Sequence, residues 1–228
     1  FTVDFNKKVD TTGPFAFNVK GGDITFTASE AGSALWNNVH VSGENANVLI
    51  DSKAELNALV VNSGKATVDG ALIGGITING GESVIKVTAS LENVNPGTQL
   101  VLNSSETEYS VSVEGGYFSS VSCEDGSGYT LGKALAKGTR VSDTNGKYYK
   151  YDDIKDFAKL NVFTVEKCNH LEGLTVDETV LDSSGRCLYC NNEYAATVYY
   201  YSGGGARIEF FENILDAFDK ANEAGTAT

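Results

Sequence analysis

The chain has 228 residues, 17 basic and 30 acidic side chains for a net charge of −13, 25 glycines, two prolines and no methionine. The acidic balance argues against nucleic acid, which needs Lys and Arg on its phosphates, and against an anionic membrane surface. Four cysteines are too few for a disulfide scaffold of this length, and no apolar run approaches membrane-spanning length. A start at Phe1 without Met reads as a mature fragment or an excised piece of a longer chain.

From residue 13 to 122 the sequence is a series of short apolar runs, among them NVHVSG, NVLID, LVVNSG, GITING and QLVLNSS. They are rich in Val, Ile and Thr, alternate apolar with polar residues and end in turn formers, which is the pattern of strands. Glycines close similar runs at Gly43, Gly64, Gly80 and Gly97, at spacings of 21, 16 and 17 residues. A repeat near this length suits a parallel β-solenoid, whose coils bury their inward faces only by stacking. Val60 and Ile76 are expected on the inward ladders. An antiparallel sandwich is the alternative.

Between Cys123 and Lys167 the texture changes to a small α/β cap. It has a short helix at Leu131 to Ala136, a type I′ hairpin signal at Asn145-Gly146, a second helical turn in DIKDFAKL and a strand in NVFTVEK. After Cys190, AATVYYY and ARIEF are two strands around a Gly-rich turn. A helix follows, with Phe211, Ile214, Leu215, Phe218 and Ala221 on one apolar stripe and Gly225 as its stop. The expected fold is therefore mainly β: a right-handed parallel β-helix over residues 1–122, a cap and connector over 123–167, and a Cys/His knuckle with a C-terminal ββα unit over 168–228.

Within that last segment, Cys168-x-His170 and Cys187-x-x-Cys190 are two ligand pairs at knuckle-like spacing. Together they can converge on one tetrahedral Zn ion, and four protein ligands would make it structural rather than catalytic. Cys123 is left over. A disulfide among Cys168, Cys187 and Cys190 is the alternative, favoured by an extracellular source. His40 lies in an alternating strand and reads as a strand residue. Asp51 and Asp69, 18 residues apart, can stack on adjacent coils as a glycan-cleaving carboxylate pair, although aspartates beside turn glycines are more often turn formers. No P-loop, dinucleotide fingerprint, HExxH or GxSxG is present.

The order CNH…SGRCLYCNNEYAATV…IEFFENILDAFDKANEAGTAT, with VEGGYFSSVSCEDGSGYTLGKALAKGTRVSDTNGKYY before it, resembles a module of large surface proteins of Gram-positive gut and oral bacteria. The resemblance covers Tyr109 to Thr228. Within that group it is nearest to the immunoglobulin-binding, superantigen-like proteins of commensal gut Firmicutes. It implies an extracellular, non-enzymatic binding module at the bacterial cell surface, flanked by neighbouring modules of a longer chain. Its partner would be a host protein, the antibody heavy-chain variable framework.

Physics supplies the contact residues. If Ala196, Val198 and Tyr200 face the helix with Ile208 and Phe210, then Thr197, Tyr199, Tyr201, Arg207 and Glu209 face outward by period two. Tyr and Arg dominate interfaces. A structural stalk or spacer repeat, and a glycan-binding or glycan-cleaving β-helix, are the other readings.

Overall fold

The computed structural model describes residues 1–4, 15–28, 37–88, 97–103, 109–168 and 181–226. Strands β1 (Thr2–Asp4), β3 (Gly22–Thr27), β5 (Ala46–Ile50), the first half of β7 (Lys65–Ile78), β8 (Glu82–Val87) and the first half of β10 (Ser110–Cys123) pair in parallel as one face of a solenoid. Strands β2 (Phe15–Val19), β4 (Asn37–Val41), β6 (Glu55–Val61), the second half of β7, β9 (Thr98–Leu102) and the second half of β10 form the other face, again in parallel. Parallel pairing throughout removes the sandwich. The protein is a parallel β-helix. Paired positions lie 16 residues apart at their closest, as Ala71 with Val87, and 29 apart at their widest, as Lys86 with Gly115.

Period-two alternation places every second side chain inside, and stacking puts like on like. Phe26, Ile50, Val68, Ile85 and Val113 form one inward ladder. Val39, Leu59, Ile76, Leu100 and Val121 form a second, and all ten are essentially fully buried. Ile76 is inward as the sequence implies. Val60 is not: it lies on the outer face opposite His40 and Thr77, because Leu59 and Val61 take the two inward places of the run Leu59-Val60-Val61.

Gly43, Gly64 and Gly81 mark one turn column; Gly81 rather than Gly80 takes the third place, and Gly97 lies elsewhere, just before β9 against Tyr117. Gly64 and Gly81 both have φ of +76°. A Cβ at Gly81 would sit 2.4 Å from the Gly64 carbonyl oxygen, and one at Gly64 would sit 2.4 Å from that of Gly43. Beside this column runs an amide ladder. Asn79 donates to Asn62 Oδ1 at 2.7 Å and accepts from Asn103 Nδ2 at 2.7 Å. Asn79→Ala removes both bonds, and should cost about 1–2 kcal/mol in a urea melt.

The last coil is covered along its second half and bridged at one point of its first. Strand β12 (Lys159–Lys167) runs antiparallel to the second half of β10, and β11 (Thr139–Ser142) pairs outside it. Helix α1 (Leu131–Ala134) buries Leu131 and Ala134, and the segment after it bridges the first half of β10, where Ala136 N donates to Val113 O at 2.9 Å. Phe118 of β10 stacks on Phe163 of β12 with centroids 5.5 Å apart. Buried Arg140 holds β11 to β12 through Glu166, at 2.6 Å from NH2, with Tyr148 stacked on its guanidinium 3.8 Å away. At the Asn145-Gly146 turn only Gly146 has positive φ, so the turn is not type I′, which needs two such residues. Asp143 closes it instead, its carboxylate accepting from Asn145 N and Lys147 N.

A second helical turn, α2 (Tyr151–Ile154), precedes β12. Strands β13 (Ala196–Ser202) and β14 (Gly205–Phe211) form a separate antiparallel hairpin, followed by α3 (Ile214–Thr226). No described helix is long and apolar enough to cross a membrane.

Candidate functional site

Cys168 leaves the end of β12, its N–H fixed by Gly138 O at 2.8 Å. Cys187 and Cys190 sit on a tight turn prepared by the residues around it. The Asp182 carboxylate accepts from Ser184 Oγ, Ser184 N, Arg186 N and Arg186 Nε, and these donors hold it well below the usual carboxylate range. Gly185, at φ +85°, reverses the chain. Asn191, at φ +59°, lets Asn191 N return to Cys187 O at 3.0 Å while Cys187 N reaches Asn192 O at 2.7 Å. Asn tolerates this left-handed conformation better than most residues.

The three sulfurs meet. Cys168 Sγ lies 3.9 Å from Cys187 Sγ, and the ligand atoms of Cys168, Cys187 and Cys190 all lie within 4.8 Å of one another. The residues are only 8%, 2% and 5% exposed. No disulfide joins the three. Four ligands ~2.3 Å from a tetrahedral metal place neighbouring sulfurs about 3.8 Å apart, so the spacing fits a shared soft cation.

The electrostatics agree with that fit. Without a cation, the Cys168 thiol is raised far above its usual range by hydrogen bonds to Cys187 and Cys190 and by burial. For Cys190, the hydrogen bond with Cys168 favours the thiolate, but the hydrogen bond with Cys187 and burial outweigh it and push the thiol up to about 11. Three crowded thiolates need a positive ion among them.

Cys123 lies elsewhere, buried in the β-helix and pushed up to about 11 by burial and then by Glu124, which makes it inert. His170, the fourth ligand expected from spacing, lies outside the described residues.

The cluster ties three parts of the chain together. Tyr151 N of α2 donates to Leu188 O at 2.8 Å, Arg186 pairs with Asp152 at 3.6 Å, and Tyr189 packs edge-on to Tyr148 with centroids 6.1 Å apart. On the other side, Tyr194 packs on Phe210, Ala195 N donates to Phe211 O at 2.8 Å, and Asn192 Nδ2 reaches Glu212 Oε1 at 3.1 Å. Spacing did not mark Asp182, Asn191, Asn192 or Tyr194. The dipeptide Asn191-Asn192 directly after Cys190 is the signal that was there, since asparagine is a residue of positive-φ turns. An open groove of about 820 Å³ lies beside the cluster, walled by Lys86, Glu114, Lys137, Cys168 and Asn192.

The five candidate contact residues divide between two faces. The register pairs Tyr199 with Ile208, Tyr200 with Arg207 and Val198 with Glu209, and directly opposed residues share a face. Arg207 and Glu209 therefore lie with Tyr200 on the α3 side, where Glu209 accepts from Tyr200 OH and pairs with Lys220 at 3.4 Å. Thr197, Tyr199 and Tyr201 lie on the other side with Ile208 and Phe210. Tyr199 is 68% and Tyr201 85% exposed.

Of the other candidates, His40 is a half-buried strand residue. Asp51 serves its own turn, accepting from Lys53 N at 2.9 Å, and Asp69 pairs with Lys86 at 3.7 Å.

Comparison with family models, curated proteins and solved structures gives no match.

Proposed function

We propose that the chain is a non-enzymatic protein-binding module of a bacterial surface protein, in which the β-helix carries a docking hairpin and a structural zinc fixes the junction. The observation that carries the reading is the pair Tyr199 and Tyr201, 68% and 85% exposed, side by side on a hairpin with no third strand among the described residues. Exposed tyrosines of this kind are typical interface anchors, and an unpaired strand edge is a template for another β protein. The first partner is the antibody heavy-chain variable framework, itself a β-sandwich. In this reading Cys168, Cys187 and Cys190 supply three zinc ligands and His170 the fourth, the ion has no vacancy for substrate, and the coils wind right-handed, as parallel crossovers prefer.

Surface plasmon resonance against Fab fragments of different heavy-chain families tests this. Fabs of one family are expected to bind, and Tyr199→Ala with Tyr201→Ala to weaken that binding about ten-fold or more, since interface tyrosines are frequent hot spots. No signal from any Fab would overturn the antibody reading, and a silent glycan array as well would leave a structural spacer as the function.

A further inference from the structure

Helix α3 carries its apolar residues on the wrong side for its own sheet. Ala217, at 5% exposure, is its one buried residue, and Lys220 beside it lies over the Tyr200 ring at 5.2 Å and pairs with Glu209. Ile214, Leu215 and Phe218 are 52%, 66% and 61% exposed. At about 100° per residue these three fall within one arc of the helix, turned away from Lys220. The helix is nonetheless well anchored, with Asn213 Oδ1 capping Leu215 N at 2.9 Å. A contiguous exposed ridge of three large apolar side chains on a well-capped helix marks a binding surface.

Its flank selects the occupant. Asp216 and Asp219 are exposed along the adjoining strip, while Glu212 above them and Glu223 below them pair with Lys137 at 3.5 Å and Lys220 at 4.0 Å. The single base of the helix, Lys220, points to the hairpin. Two copies packed ridge to ridge would bring the Asp216 and Asp219 carboxylates of one against those of the other, and an anionic membrane would repel them in the same way.

We infer that the outer ridge of α3 docks a basic amphipathic helix of another polypeptide, its apolar anchors on Ile214, Leu215 and Phe218 and its Lys or Arg residues on the Asp216–Asp219 strip. This surface faces away from the tyrosines of the hairpin and stands whether or not antibody binds there.

The test is fluorescence anisotropy on the full chain with a labelled helical peptide that has Leu at i, i+3, i+4 and i+7 and Lys on its flanks, beside the same peptide with Glu on its flanks. The Lys peptide is expected to bind and the Glu peptide not. Leu215→Ser with Phe218→Ser should weaken binding about ten-fold, equivalent to about 1.4 kcal/mol. Asp216→Lys with Asp219→Lys should reverse the preference between the peptides. These residues are exposed, so circular dichroism of the variants should match the parent. Absence of Lys-peptide binding, equal binding of both peptides, or binding untouched by the serine variant overturns the inference. So does a dimer in sedimentation that the serine variant dissolves.

Discussion

Cys187→Ser is expected to release the metal from the chain and to loosen the ββα unit from the β-helix while the β-helix stays folded. Elemental analysis of the parent should give about one zinc per chain, and the variant close to none. A bound structural zinc contributes on the order of 10 kcal/mol of local folding free energy at neutral pH. The segment it organises has little core of its own among the described residues, where Leu181, Tyr189 and Tyr194 are the hydrophobic residues packed against the three cysteines. The β-helix ladders make no use of the cluster, so the main thermal transition should remain.

Acid should do what the substitution does, with a definite sign. The metal-free thiols are held protonated, Cys190 at about 11 and Cys168 higher still, so metal must displace protons to bind. The stabilisation from metal is thus present at neutral pH and lost as pH falls. A chelator in excess should have the same effect at neutral pH. Elemental analysis after desalting at pH 7 and pH 4 checks the first. Retention of zinc by Cys187→Ser would show that the ion sits elsewhere.

The second large effect is expected at Gly81→Ala. The new Cβ faces the Gly64 carbonyl oxygen at 2.4 Å, and the backbone there has φ +76°. Both obstacles are backbone, so no side-chain rotation relieves them, and two stacked coils must separate locally. A cost of about 3 kcal/mol or more follows from positive-φ strain with a backbone clash. Gly75→Ala is the contrast, since its Cβ would meet nothing within 4 Å. A urea series should show a large shift of midpoint for Gly81→Ala and almost none for Gly75→Ala.

The coils were legible because two local signals agree in them: strict alternation, as in Val39 and Val41, and turn residues at near-constant spacing. The phase failed where a run offered three apolar residues together. Leu59-Val60-Val61 fits either face, and only stacking on Val39 and Ile76 decides it. The hairpin faces failed for a related reason, since the run ending β14 has Ile208, Phe210 and Phe211 on both of its sides. The two-residue turn Gly203-Gly204 was the available signal. It sets Ser202 opposite Gly205, so even positions of β13 oppose odd positions of β14.

The meeting of three cysteines was readable from spacing, because a CxxC turn aims both sulfurs inward. The pairing of β12 with β10 was not, since long-range register leaves no mark on either strand alone. The outward turn of the α3 stripe was hidden as well. Periodicity locates an apolar stripe on a helix without naming what covers it.

The last coil has a consequence for chains that carry this unit more than once. Parallel β-helices tend to grow, because a bare final coil templates the next one and stacked coils become a fibre. Here the second half of β10 is spent on an antiparallel strand and the first half is bridged at Val113 by the segment after α1, so a following coil would find this edge obstructed. Cooperativity therefore stops at this edge. Adjoining copies would melt as independent beads, and a damaged copy would not unzip the next.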